Sequence, residues 1–293
     1  MKRVDPGAVR MKTATSGGRS RLAGIALVLA STVPFALAGT LTRLIPASLW
    51  QVIGWRGVVG GGCILAFAWL AGERQPMGWR GWVVALVGAA ASVAFLAAFR
   101  MTQVANVTLI YALAPFAAAL IERLALGVPV ARGTLVGAAV SAFGVAVMVA
   151  GGLGAERAEG DLAALAMMAL FALYTVLIRA WPATPSLKAG GWSAIVLFPV
   201  AAVLDRPFAV APGAWAGIFG FGISFALAVM LYTMGARRIS AAETGFYGGF
   251  EIPFSIVFAW AILHERPAAA TGLGGAIVLV SVGAGAVQAL RRG

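Results

Sequence analysis

Ten long apolar stretches follow one another through the 293 residues with scarcely a soluble interval between them. They cover residues 22–44, 49–71, 82–99, 105–124, 134–150, 162–180, 192–204, 215–236, 241–263 and 271–290. At about 1.5 Å per residue, each except the seventh crosses most or all of a hydrocarbon core about 30 Å thick. The seventh does so when extended back through Gly190 or forward toward Pro207. The pattern predicts an all-α membrane protein with ten transmembrane helices. Charged residues make up only 11% of the chain, against roughly 25% in soluble domains, which excludes a second, soluble domain.

The net charge of +12 invites a nucleic-acid reading, but its placement argues otherwise. With a cytoplasmic N-terminus, sixteen lysines and arginines fall in the basic tail 1–21, in alternate loops and at the C-terminus. The opposite side collects five: Arg43, Arg100, Arg157, Arg206 and Arg266. That bias predicts both termini in the cytoplasm and membrane lipid, not nucleic acid, as the partner. Cys63 is the single cysteine, so neither an intramolecular disulfide nor a cysteine metal cluster is available.

Residues 105–147 read against 243–285 at a constant offset, with Pro115 on Pro253, Pro129 on Pro267 and Gly137 on Gly275. Each copy holds a helix with a central proline, a short loop and a Gly-rich helix. The expected division is a first five-helix repeat over 22–151 and a second over 160–290. Five spans is an odd number, so the second copy enters the bilayer from the opposite face. Such five-plus-five inverted repeats suit alternating access.

Ionisable residues within the bilayer are costly and usually face a cavity or a partner. Arg56 and Glu251 qualify, Arg56 close enough to a surface to snorkel. Glu243, Tyr247, Glu251 and Ser255 recur every four residues and form one polar stripe. Pro253 beside it frees the carbonyl of Gly249 from its helical bond, and Gly245, Gly248 and Gly249 open space. Glu251 therefore either lines a pocket, binding an ammonium or exchanging a proton, or is a structural carboxyl, protonated or paired with Arg56. Tyr247 lines the same space if Glu251 does. In the fourth span Gln103, Asn106 and Tyr111 share a broad face, as substrate contacts or as interhelical ties. Phe171 and Tyr174 in the sixth span, and Phe95 and Phe99 in the third, are pairs at helical spacing that serve packing or a pocket. No catalytic or phosphate-binding motif appears, and His264, the sole histidine, falls in a loop. The chain is not expected to be an enzyme or to need a cofactor.

The run Gly249-Phe250-Glu251-Ile252-Pro253 through Leu263-His264-Glu265-Arg266-Pro267 to Gly275 resembles the drug/metabolite transporter superfamily. Arg56-Gly57 looks like that family's arginine position. Tyr111-Ala112-Leu113-Ala114-Pro115 and Phe171-Ala172-Leu173-Tyr174-Thr175-Val176 resemble its bacterial aromatic amino-acid exporter branch, the YddG type. Ala112, Ala114 and Gly249 stand where that branch often has larger aromatic residues, which implies a wider pocket. The resemblance implies a secondary exporter of amino acids, aromatic ones favoured, in a bacterial inner membrane, with no obligate protein partner. Phe95, Tyr111, Phe171, Tyr174, Tyr247 and Phe250 would offer surfaces to the substrate, and Asn106 and Glu251 would hold its polar end. Rival readings are an exporter of another metabolite or a cationic drug, then a membrane-embedded enzyme, then a channel.

Overall fold

A computed structural model describes residues 18–127, 132–151, 155–236, 238–239, 244 and 247–292. The basic tail as far as Gly17, Pro129, Arg237 and most of the first turns of the ninth predicted span, with Glu243 and Gly245, lie outside the described residues. The helices are α1 (Gly18–Leu44), α2 (Leu49–Leu70), α3 (Gly78–Met101), α4 (Val104–Tyr111), α5 (Ala114–Leu126) and α6 (Arg132–Gly151). They continue with α7 (Ala155–Ala180), α8 (Ser186–Ile195), α9 (Leu197–Leu204), α10 (Trp215–Ala236), α11 (Glu251–Leu263) and α12 (Ala269–Arg292). No strand occurs among the described residues.

Among the described residues, seven helical runs are long and apolar enough to cross a membrane: Ser20–Leu44, Leu49–Leu70, Gly78–Met101, Val104–Ala125, Ala158–Ala180, Ser186–Leu204 and Pro212–Ala236. The other three predicted spans contain shorter apolar helices, Leu135–Val147, Glu251–Leu263 and Ala269–Ala284.

Three spans read as single helices are interrupted. The fourth divides at Ala112–Leu113, where Pro115 cannot donate to the carbonyl of Tyr111 and its ring crowds that carbonyl. Pro115 instead sits in the first turn of α5, where the missing N–H costs nothing. The seventh divides at Val196, four residues after Trp192 and three before Pro199, and begins at Ser186, ahead of the apolar run. In the ninth, a turn at Gly249–Phe250 precedes α11, which carries Pro253 as its third residue. The Gly249 carbonyl is not left free as expected: the Ile252 N–H donates to it at 3.2 Å, a tighter three-residue turn.

Helix packing follows a two-fold pattern. Exchanging the first five helical runs with the last five turns the α3–α7 contact into α10–α1, and α2–α10 into α8–α3. It likewise turns α1–α11 into α7–α4 and α5, and maps α2–α8, α6–α12 and α4–α11 onto themselves. Related helices also run in opposite senses. At one end of the bundle, the Arg43 end, the last turn of α1 meets Glu265 beyond α11. There too Thr102, just past α3, meets Asp161 near the start of α7. At the other, the Arg179 end, the last turns of α7 meet Glu122 of α5, and Glu73, just past α2, caps the start of α8. So α1 runs toward the Arg43 end and its counterpart α7 runs away from it.

Between apolar helices in lipid, close packing replaces burial from water as the driving force. Gly57 and Gly61 on α2 show it: a Cβ there would lie 2.3 Å from the Ala194 carbonyl oxygen and 2.6 Å from that of Gly191. The start of α2 is fixed by a reciprocal cap, with the Gln51 N–H donating to Ser48 Oγ and the Ser48 N–H to Gln51 Oε1, both at 3.1 Å. Ser48 Oγ also donates to Asp205, tying α2 to the segment after α9.

The two ends carry matching ion pairs. Arg43 and Arg179 each occupy the last turn of the first helix of a repeat. Each pairs with a glutamate at the end of the fourth helical run of the other repeat, Glu265 and Glu122 respectively. The pairs are not copies of one alignment position, since Glu122 lies within α5 and Glu265 just beyond α11. Arg43 also donates to the carbonyls of Phe99 and Thr102, and Glu265 accepts from the Val104 N–H at 3.1 Å.

Candidate substrate-binding site

The helix breaks set the site. Backbone that leaves the helical ladder inside a membrane is tolerated where protein or a cavity satisfies it. Here α4 packs against α11, so two of the three interrupted runs meet. Glu251 opens α11 immediately after the Gly249–Phe250 turn. It is half-buried. Among the described residues its carboxylate has neither a hydrogen bond nor an ion pair. Its electrostatic neighbours are Tyr111 on α4 and Tyr232 on α10.

From Tyr111 an aromatic row leads into α7 and α3. The Tyr111 ring stands edge-on to Phe171 with centroids 5.7 Å apart. Phe171 meets Phe95 at 6.3 Å, and Phe95 meets Phe99 at 4.7 Å. Phe95, Tyr111 and Phe171 are half-buried and pack on the same core, built around Leu109, Ile110, Met167 and Ile252. The helical spacing read from the sequence thus brings Phe95, Tyr111 and Phe171 together with Glu251 nearby.

The remaining predicted residues sit differently. Tyr174 lies apart, in the seam of α7, α3 and α8, against Gly88 and with its hydroxyl facing Gly190. Tyr247 is half-buried, two residues before the turn, while Phe250 is 41% exposed. Asn106 is 3% exposed and its amide is engaged on both sides. Nδ2 donates to Asp161 at 3.4 Å and to Thr102 at 3.5 Å, while Thr271 Oγ1 donates to Oδ1 at 3.0 Å. Asn106 therefore ties α4 to α7 and α12 near the Arg43 end. Two open cavities, of about 540 and 350 Å³, lie at the ends of the bundle and touch none of the eight predicted residues.

Arg56 departs from expectation. It does not snorkel and does not pair with Glu251. It is 2% exposed, with its guanidinium over the rings of Phe225 at 4.6 Å and Phe221 at 5.0 Å, and Nη2 donates to Ser92 Oγ at 2.5 Å. Sequence reasoning also missed Tyr232. The signal was available: Phe221, Phe225 and Tyr232 recur at spacings of four and seven, one face of α10. Phe35 on α1 meets the Tyr232 ring at 6.2 Å, and Gly248 lies beside it.

A half-buried carboxylate thus lies beside an aromatic row at the junction of two interrupted helical runs. The sequence pattern of the EamA-like transporter family matches residues 22–150 and again residues 158–284, once for each half. The chain belongs to this family. It is a membrane transporter of small substrates within the drug/metabolite transporter superfamily, built of two repeats. No curated protein matches the chain. A solved structure described as a crystal structure of a protein shares the fold, with a TM-score of 0.66 over 93% of this chain and 99% of its own, at 18% identity.

Proposed function

We propose that the protein is a secondary transporter that exports or exchanges amino acids, aromatic ones favoured, by alternating access across a bacterial inner membrane. In this reading ten helical runs cross the lipid as repeats 22–151 and 160–290, with both termini in the cytoplasm. The supporting observation is the meeting of two repeat-related broken runs, α4–α5 and the turn before α11, beside Glu251 and the row Tyr111–Phe171–Phe95. Edge-on aromatic contacts accommodate a flat apolar side chain, and Glu251 answers an ammonium. Phe250, on the turn, and Tyr247, two residues before it, reach the substrate as the turn moves. Tyr174 supports the wall between α7 and α8. Asn106 holds the walls together instead of gripping the substrate's polar end.

Proteoliposomes test this directly. Preloading with unlabelled phenylalanine or tryptophan should accelerate uptake of the labelled amino acid. A carrier that exchanges none of the twenty amino acids would reject the substrate class. A second reading, export of a cationic drug or metabolite, is favoured by the Glu251 carboxylate, which has no cationic partner among the described residues. It predicts exchange of organic cations with no competition from amino acids.

A further inference from the structure

Arg56 is a cation buried seven residues into α2 from the Arg43 end, about 10 Å deep at helical rise. No carboxylate compensates it among the described residues. The guanidinium carbon lies over the two phenylalanine rings, which offset part of the cost of burying the charge. The edge is left incompletely satisfied: Nη2 has only Ser92, and Nε has no hydrogen-bond partner. A buried charge without a counter-ion is a large penalty in a membrane interior. A protein that wanted only to join α2 to α10 would do so more stably with an apolar residue of similar volume.

The surroundings of that edge connect it to the site. Ser92 and Phe95 are three residues apart on α3 and share a face, so the Arg56–Ser92 contact adjoins the Phe95 end of the aromatic row. Along α10, Phe225 and Tyr232 share a face that runs from Arg56 to the neighbourhood of Glu251. Nε and Nη2 form the side edge of a guanidinium, the edge on which a carboxylate binds with two parallel hydrogen bonds. Arg56 thus offers the donor geometry, Ser92 a third donor, and Phe95 an apolar surface one helical turn away.

We infer that Arg56, with Ser92, forms an anion subsite that takes the carboxylate of an aromatic or aliphatic acid whose apolar body lies along Phe95 and Phe171. This deepens the transport reading, on which it rests for its physiological meaning, by assigning the acidic group of the substrate to α2.

Calorimetric titration of the purified protein in nanodiscs, with 3-phenylpropionate and phenethylamine as probes, tests the subsite without requiring transport. The acid should bind saturably to the native protein. Arg56→Gln should weaken the acid at least tenfold and the amine less than twofold, and Arg56→Lys should recover part of the loss. Ser92→Ala should weaken the acid several-fold, which keeps the test open if Arg56→Gln does not fold. No binding of the acid to the native protein, or equal loss of both probes in Arg56→Gln and Ser92→Ala, would overturn the proposal. Saturable acid binding without amino-acid exchange would reject the transport reading alone. Exchange unaltered by Arg56→Gln would reject the subsite alone.

Discussion

Glu251 holds the first position of α11, where the positive end of the helix dipole favours a carboxylate. That placement suits a group that must be ready to take up charge from a ligand. Glu251→Gln should slow amino-acid exchange and flatten its dependence on pH between about 5 and 8, because the variant cannot change protonation state. Initial rates in proteoliposomes across that range would show it, and superimposable profiles would make Glu251 a structural group. Phe171 stands between Tyr111 and Phe95. Phe171→Ala should raise the KM for an aromatic substrate about tenfold, the equivalent of roughly 1.4 kcal/mol, with a smaller effect on alanine exchange. At the membrane surface, the Ser48 hydroxyl and then the Arg206 N–H hold the Asp205 carboxyl below the ordinary carboxylate range. A depressed carboxylate stabilises the fold above its unfolded pKa, and the contribution disappears as pH falls through the folded pKa. Ser48→Ala should therefore move the Asp205 titration upward, observable by carboxyl NMR. Spacing alone made Phe95, Tyr111 and Phe171 legible, since three-and-four periodicity fixes a face. It could not show that Asp161 and Thr271 hold the Asn106 amide, because those partners come from distant elements.

Among the elements, the prolines explain most of what the sequence made visible and also what it hid. Pro115, Pro199 and Pro253 lie inside apolar runs that hydropathy reads as continuous, yet each run is divided near its proline. Hydropathy averages over a window and does not see a lost N–H donor. Pro253→Ala should restore helical bonding across 249–253 and slow the exchange cycle more than it weakens binding. A drop in kcat with little change in ligand affinity would bear that out. Close crossings at glycine were a matter of tertiary structure, and Gly57 has the Ala194 carbonyl where a side chain would go. Gly57→Val should destabilise the α2–α8 pair by about 1–3 kcal/mol, seen as a lower unfolding temperature in micelles.

For the whole molecule, the repeat was legible because the proline and glycine positions recur at one offset. The packing bears out a two-fold relation through contacts that exchange in pairs. The ion pairs were not legible, since Arg43 and Arg179 find their glutamates through tertiary structure. Arg43 bridges α1 to the segment beyond α11, and Arg179 bridges α7 to α5. Arg43→Ala should increase thiol labelling of cysteines placed along the row from the Arg43 end, and Arg179→Ala from the other end, in a Cys63→Ser background. Equal labelling from both ends in both variants would separate the ion pairs from control of access.

The ion pairs at the two ends are made of the same chemistry but differ in their exposure. The side chains of Arg43 and Glu265 are 26% and 13% exposed, against 57% and 21% for Arg179 and Glu122. Mobile ions screen the more exposed pair more strongly. Raising the salt concentration therefore loosens the Arg179–Glu122 tie before the Arg43–Glu265 tie, so the two ends of a doubled fold answer one change of solvent unequally.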